Sequence, residues 1–452
     1  MVPYERGLAC LLAVALLGSA CTAARSSENG GASSEEESAA IAGPTASEID
    51  AFLAQPRTEA ARALAESMVA SGDRRWVPWL LDLHRLAVSN LVDAVVSDGL
   101  ASLSGLEVKG GRLQDFQVFG QWAQTAEIDP GEGYRAWKLG LYGRLDDGYV
   151  SLLDQVSSDL LLSQIHWGGV LRGGIPELND PERVPAREAT WMVADEVVFG
   201  VEIDGIPVAY PVRILGHHEL ANDVIGQVPV AVVYCTLCRT ALLFDRRIGD
   251  DADDEVDEMV LGFETSGLLW SSNKIMVDRE TDTLWQHLSG TALGGTLAET
   301  KLVQLPIVTT TWADWVVTHP NTETLAIPTE LFFPNVPEGL PVRYDYRPDV
   351  AYREYYANDD IWFPILETPD DLALKAEIIG LSVGGEHLAV PIERLVAAGS
   401  QTITLGGESI RLEPTPVGAR AFDQSGRQLV VSQSFWFAWY GRHPDTGIWP
   451  GP

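Results

Sequence analysis

Two cysteines and a histidine pair a short distance before them are the residues of this chain best suited to chemistry. Cys235 and Cys238 form a Cys-x-x-Cys pair, and the run His217-His218-Glu219 precedes it. Thiolates and imidazoles are preferred ligands of zinc and copper, and Cys-x-x-Cys spacing lets two sulfurs reach one ion from a tight turn. Segment 200–245 is therefore the predicted site.

The first hypothesis for this site is a zinc or copper centre. Its predicted ligands are Cys235, Cys238 and His218, with His217 or His287 as an additional ligand. Three ligands would leave one coordination position open for catalysis or metal transfer, while four would close a structural site. Outer partners that orient a metal-bound histidine are common, and the residues predicted for this role are Glu219, Asn222 and Asp223.

Other interpretations of the same residues stay open. His287 lies two residues after Trp285 and would share its face in a strand, where it is equally well explained as a half-buried strand histidine. The second hypothesis is a thiol-disulfide redox protein that uses both cysteines. The third is a binding or assembly module in which the cysteines form only a structural disulfide. A thiol nucleophile with His218 as its base is a further variant, and no catalytic residue is assigned.

The local context of the cysteines bears on this choice. Apolar runs predict strands on both sides of them, PVAVVY before and TALLFD after. In thioredoxin-like proteins the Cys-x-x-Cys opens a helix, whose N-terminus lowers the thiol pKa. A turn between strands instead favours a metal site or a structural disulfide.

The same region carries a family resemblance. The segments are HWGGVLRGGIPELNDP, PVRILGHHELANDVIGQVPVAVVYCTLCRTALLFDRR, TSGLLWSSNKIMVDRETDTLWQHLSGTAL and SFWFAWYGRHPDT. From about Phe119 to the C-terminus the chain resembles the exported prokaryotic family called domain of unknown function 3179. That family has a single His-Glu, which matches His218 and makes His217 a local addition, and an acidic residue where Gly173 stands here. The resemblance supports the choice of residues and implies no particular reaction.

The N-terminus predicts export. Residues 1–21 combine a basic residue, a short apolar run and small residues before Cys21, which is typical of a bacterial lipoprotein signal. Cys21 is the predicted lipidation site, so the expected location is the cell envelope, with the membrane as a partner through the lipid. Residues 22–44 are rich in Ser, Ala, Gly and Glu and predict a disordered tether.

Composition limits the remaining partners. A formal net charge of −33 excludes a nucleic-acid partner, because phosphate binding needs a cationic face. Neither a phosphate-binding loop nor a dinucleotide fingerprint is present, so no nucleotide cofactor is expected. An unidentified protein or small molecule remains as the expected partner.

The predicted fold class is α+β. We predict a helical domain at 45–160, a strand-rich lobe with the cysteines at 161–330, a connector at 331–375 and a second lobe at 376–452. Segments 200–215 and 380–395 align without gaps, as do the Trp-x-x-Trp-x-x-x-His-Pro-x-Thr motifs that begin at Trp312 and Trp436. This alignment predicts that the second lobe duplicates the first without its cysteines. His319 and His443 occur in both lobes and are interpreted as structural.

Overall fold

The computed structural model describes residues 43–55, 57–86, 90–249, 259–329 and 344–451. The predicted signal peptide with Cys21, almost all of the tether and the first part of the connector lie outside these ranges. Within them, no helix is both long and apolar enough to cross a membrane.

The described chain begins with a helical region. Thr45 accepts a hydrogen bond from the backbone N–H of Glu48, whose side chain accepts from the backbone N–H of Thr45, so a capping box fixes the first helix start as the sequence predicts. The helices of this region are α1 Ala46–Ala54, α2 Thr58–Ala70, α3 Val77–Arg85, α4 Asn90–Ser104, α5 Arg112–Thr125, α6 Tyr134–Tyr142, α7 Gly148–Asp154 and α8 Asp159–Gln164.

Strands dominate the rest. Helices take 31% and strands 29% of the chain, so the α+β class is confirmed. The remaining helices are α9 Val212–His218, α10 Trp312–Thr318, α11 Arg353–Tyr356, α12 Ile392–Ala398 and α13 Trp436–Tyr440. The strands are β1 Ile165–Trp167, β2 Leu178–Asn179, β3 Arg183–Pro185, β4 Val197–Ile203, β5 Ile206–Pro211, β6 Leu220–Ile225, β7 Val228–Cys235, β8 Thr240–Asp245, β9 Arg247–Ile248, β10 Met259–Val260, β11 Phe263–Trp270, β12 Asn273–Asp278, β13 Leu284–Gln286, β14 Thr291–Ala292, β15 Gln304–Leu305, β16 Val308–Thr311, β17 Glu323–Leu325, β18 Glu377–Val383, β19 Glu386–Pro391, β20 Gln401–Leu405, β21 Glu408–Pro414, β22 Ala419–Phe422, β23 Ser432–Phe435 and β24 Gly447–Ile448.

These strands form several sheets of antiparallel hairpins, in an arrangement similar to a small five-bladed β-propeller. Two sheets carry the predicted site: β15-β8-β7-β6-β2, which holds the cysteines, and β1-β11-β12-β13-β14, which packs beside it. Apolar residues alternate with polar ones only weakly along β7 and β8, because both faces of these strands are covered.

One order of elements occurs twice. The order is a hairpin, a helix, three antiparallel strands, a fourth strand, a second helix and a final strand. It occurs first in β4–β8 with β16–β17, with helices α9 and α10, and again in β18–β24, with helices α12 and α13. The sheets β16-β4-β5-β17 and β23-β18-β19-β24 have the same strand order. In both, a tryptophan packs on a strand glycine, Trp315 on Gly200 and Trp439 on Gly380.

The helices do not have a core of their own. One continuous cluster of buried side chains joins helical residues such as Phe116 and Trp137 to Cys235, Cys238 and Phe435. The helical region therefore covers one side of the strand region and shares its interior.

Candidate functional site

The two cysteines lie in a tight turn between strands, as predicted. Cys235 ends β7 and pairs with Thr240, the first residue of β8, while residues 236–239 form the turn. Arg239 closes this turn with a φ of 53°, a left-handed conformation that costs free energy for a residue with a Cβ. Such strained residues cluster at functional sites.

Distant parts of the chain fix this turn through its carbonyl groups. On α11, the hydroxyl of Tyr356 donates to the carbonyl of Thr236 at 2.7 Å, and the hydroxyl of Tyr355 donates to that of Leu237 at 3.1 Å. From the second repeat, the N–H of Phe435 donates to the carbonyl of Cys238 at 2.8 Å. The predicted connector and the second lobe therefore contribute directly to the site.

A second hairpin supplies the polar neighbours of Cys238. Ser271 and Ser272, between β11 and β12, both have positive φ, at 53° and 55°, a conformation that two-residue hairpin turns usually reach with Asn or Gly. This turn brings Asn273 to donate to the Cys238 sulfur at 3.0 Å, and it places the Ser272 carbonyl oxygen 3.3 Å from the same sulfur. Asn273 also contacts Nδ1 of His287 at 3.4 Å.

The environment shifts the pKa values of the two thiols in opposite directions. Their sulfur atoms are 3.0 Å apart and both side chains are buried. Burial raises the pKa of Cys235, but hydrogen bonds from the Cys238 thiol and His287, together with the backbone N–H of Lys274, outweigh this effect and lower its pKa. Burial and the neighbouring Cys235 sulfur raise the pKa of Cys238 well above its ordinary value. Cys235 is thus the thiolate of the pair and Cys238 the thiol that donates to it.

His287 is a hydrogen-bond partner of Cys235. Its Nε2 lies 3.1 Å from the Val233 carbonyl, which only accepts, so Nε2 donates there and the hydrogen bond to Cys235 is made by Nδ1. His287 follows β13 directly and is fully buried, as is Trp285.

A buried ion pair faces Cys235 across a small cavity. Lys274 donates to Glu219 at 2.8 Å and to Thr265 at 3.0 Å, and Glu219 also accepts from Thr236 at 2.9 Å. Glu219 has a φ of 58° at the end of α9, so this carboxylate too is positioned by a strained backbone. The cavity has a volume of about 60 Å³, and Cys235, Glu219 and Lys274 line it.

The predicted ligand His218 lies apart from the cysteines. Its Nδ1 donates to the carbonyl of Pro176 at 2.7 Å, and its Nε2 accepts from the hydroxyl of Tyr346 at 2.6 Å. Burial lowers the pKa of His218 to about 4. His217 turns to the Asp345 carbonyl at 3.0 Å and stacks on Tyr344. Because α9 ends between these histidines and Glu219, only Glu219 faces the thiols.

Two of the predicted outer residues connect strands instead of orienting a histidine. Asn222 and Asp223 both lie within β6. Asn222 exchanges hydrogen bonds with the backbone of Phe263, at 2.8 and 3.0 Å. Asp223 accepts from the Tyr210 hydroxyl at 2.7 Å and pairs with Arg183.

The donor set was tested against the geometry of a metal centre. In the described ranges, no group of three His, Cys, Asp or Glu side chains is placed to hold one ion. Two sulfurs on one zinc lie about 3.7 Å apart when Zn–S bonds of about 2.3 Å meet at a tetrahedral angle. Cys235 and Cys238 are closer, at 3.0 Å. The predicted ligands do not fit a metal ion in this arrangement.

Several residues of the site were missed by sequence reasoning. Lys274, Asn273 and the tyrosines of α11 contact the cysteines or their turn although no motif marks them. One signal was available: the stretch LLWSSNKIMV has two apolar runs separated by a short polar turn without glycine, which predicts a strained hairpin.

The family comparison agrees with the resemblance seen in the sequence. The family described as "Protein of unknown function (DUF3179)" matches residues 172–430, and the chain belongs to this family. The match covers the cysteines, Glu219, Lys274 and His287. Neither the curated proteins nor the solved structures contain a significant match to the chain.

Proposed function

We propose that this protein is a thiol-based redox protein in which Cys235 is the nucleophile and Cys238 the resolving cysteine. The observation that carries the proposal is the asymmetry of the pair. Cys235 has a lowered pKa, accepts a hydrogen bond from the Cys238 thiol and lines the small cavity. Cys238 has a raised pKa and does not line that cavity. A nucleophilic thiolate and a protonated neighbour are what reversible disulfide formation requires.

The enclosure of the sulfurs limits the oxidant to a small molecule. Cys235 is 2% exposed and Cys238 is fully buried, so a disulfide of another protein has no path to either sulfur in this conformation. The cavity beside Cys235 has room for a few water-sized groups. A hydroperoxide has this size and is the proposed oxidant.

The proposed reaction has two steps. The Cys235 thiolate attacks one peroxide oxygen, an S–O bond forms, the O–O bond breaks, and the leaving oxygen departs as an alkoxide or hydroxide that takes a proton from solvent. The ammonium group of Lys274 faces the cavity and stabilises this developing negative charge. The Cys238 sulfur then attacks the Cys235 sulfenic acid, which forms the disulfide and releases water. An external dithiol returns the pair to the reduced state by thiol-disulfide exchange.

Peroxide titration of the reduced protein tests this proposal. We expect two thiols to be lost per hydroperoxide in the wild type. Cys238→Ser should stop at a sulfenic acid on Cys235 that dimedone traps, and Cys235→Ser should not react. Lys274→Met should slow the first step with both cysteines intact. Thiols that survive peroxide but are oxidised by a small disulfide would contradict the hydroperoxide assignment.

Metal binding by the same cysteines is the alternative proposal, and it rests on the residue types. In that case Cys235 and Cys238 would separate to hold zinc or copper, with His287 as the nearest imidazole. Metal content and free thiols should be measured together on protein exported to the periplasm. One metal ion per chain that is lost in Cys235→Ser would overturn the redox proposal, whereas metal-free protein with two titratable thiols supports it.

We also propose that the protein is exported and anchored in the cell envelope by a lipid on Cys21. The sequence features of residues 1–21 support this proposal. Labelled palmitate should enter the full-length chain and not the Cys21→Ala variant. Export also explains the need for a buried redox pair, because exposed thiols are readily oxidised in an envelope compartment.

The repeated order of elements supports the further proposal that the two lobes arose by duplication. At the position of the Cys-x-x-Cys turn, between β21 and β22, the second repeat has the sequence TPVG without cysteine. The thiol chemistry is then a property of the first copy, and the second copy supports it through Phe435.

A further inference from the structure

A second and larger cavity lies between the two repeats, on the outer side of the Cys-x-x-Cys turn. Its volume is about 310 Å³, which is within the range of small-molecule sites. The hydroxyls of Tyr234 and Tyr356, 3.1 Å apart, separate it from the thiols. The hydroperoxide reaction does not use this space.

The two repeats line this cavity with equivalent positions of opposite character. Val197 begins β4, and Glu377 occupies the same position in β18. Thr309 pairs with Phe199 in the first sheet, and Gln433 pairs with Ile379 in the second. One half of the cavity is therefore apolar, with Val197, Phe199 and Val212, and the other half carries Glu377, Gln433 and Arg239.

The polar half contains a cation with unused bonding capacity. Arg239 makes one ion-pair contact within the described structure, to Glu377 at 3.4 Å, and lies over the ring of Tyr356. Its planar guanidinium is suited to a carboxylate.

The spacing of two charges indicates the chemical class of the ligand. Arg239 and Glu377 lie side by side in the cavity wall, and an α-amino acid likewise carries its carboxylate and its ammonium group on adjacent atoms. Charges of both signs line the cavity: its cations are Arg213, Arg239 and Arg353, and its carboxylates are Asp349 and Glu377. Arg213 is already paired with Glu196, so the other charges balance and favour a ligand that carries both signs over a purely anionic one.

We infer that the cavity between the repeats binds a free α-amino acid with an apolar side chain. The ligand carboxylate pairs with Arg239, its ammonium donates to Glu377, and its side chain packs on Val197 and Phe199. This site lies one residue from Cys238 and is independent of whether the thiols are redox-active.

Calorimetric titration of the full mature chain with L-leucine and L-phenylalanine tests the inference. We expect saturable binding at one site. Leucinamide, which lacks the carboxylate, and N-acetyl-leucine, which lacks the ammonium, should each bind at least about tenfold more weakly. Arg239→Gln and Glu377→Gln should weaken L-leucine binding to a similar extent.

Arg427→Gln is the matched control, since Arg427 pairs with Asp423 on the surface of the second repeat. It should bind like the wild type, and circular dichroism should show that all variants are folded. The inference is overturned if neither amino acid binds up to about 10 mM, or if leucinamide and N-acetyl-leucine bind as well as leucine does. Equal binding by Arg239→Gln in a folded protein would also overturn it.

Discussion

Single contacts decide the reactivity of each thiol. Two cysteines with the same ordinary pKa have different pKa values in this protein, because Cys235 receives hydrogen bonds and Cys238 donates one. His218 shows a different balance, because burial lowers its pKa to about 4 although its hydrogen bond to the Pro176 carbonyl raises the pKa.

At this scale we predict that His287→Gln raises the pKa of Cys235, because the imidazole stabilises the thiolate. The expected shift is about one unit or more, measured from thiolate absorbance near 240 nm against pH. His443→Gln is the matched control, since His443 packs against Trp439 away from the thiols. An unchanged titration in His287→Gln would show that the imidazole does not interact with the thiolate.

From the lowered pKa of His218 we predict that the free energy of unfolding falls in acid. Its folded pKa of about 4 is below the unfolded value of about 6.5, so the unfolded chain binds the extra proton between these pH values. The contribution is fully present above pH 6.5 and lost as pH falls toward 4, at a cost of about 3 kcal/mol in the free energy of unfolding. Urea unfolding should show a shallower pH dependence for His218→Asn than for the wild type. Parallel curves would contradict the assignment.

At the scale of the elements, the same contact holds a helix against a hairpin in both repeats: a tryptophan of the helix packs on a glycine of the hairpin. A Cβ added to Gly380 would lie 2.2 Å from the ring of Trp439, and one added to Gly200 would lie 2.3 Å from that of Trp315. The indole N–H groups then donate to Thr446 and Thr322 respectively. In each repeat a helix is thereby fixed against its hairpin.

We therefore expect Gly380→Ala to destabilise the protein by about 1–3 kcal/mol, because the tryptophan must move out of a well-packed position. Gly447→Ala in the same sheet is the control. The nearest atom to its added Cβ is 3.6 Å away, an ordinary contact. Denaturant midpoints of the two variants give the comparison, and equal midpoints would show that the indole yields without cost.

At the scale of the whole molecule, the described helices and strands share one interior. Besides the shared core, Arg85 of α3 donates to the carbonyl of Trp167 at 2.7 Å and Tyr149 of α7 donates to that of Ser266 at 3.0 Å. The predicted boundary near residue 160 thus separates secondary-structure types within a continuous interior.

A chain of residues 165–452 should accordingly fail to fold cooperatively, because it would expose the apolar surface that the helices cover. Thermal unfolding monitored by tryptophan fluorescence and by circular dichroism should give one coincident transition in the mature protein and none in the truncated one. A sharp transition in the truncated chain would mean that the strand region is an independent domain.

The sequence by itself determined the local features. Apolar runs placed Cys235 and Cys238 in a turn between strands, and the residue types at the start of α1 and at Asp204-Gly205 are those of a capping box and of a hairpin turn. The internal alignment of 200–215 with 380–395 also identified two segments with equivalent strands. These features depend on residues close together in the chain, where spacing and side-chain type carry the information.

Only the tertiary structure decided which residues meet. His218 is close to Cys235 in sequence and turns away from it, because the left-handed backbone at Glu219 reverses the chain after α9. His287 and Lys274 are distant in sequence and reach the thiols through the β11–β13 strands. Contacts of this kind depend on how sheets pack, which no local pattern of one sequence specifies.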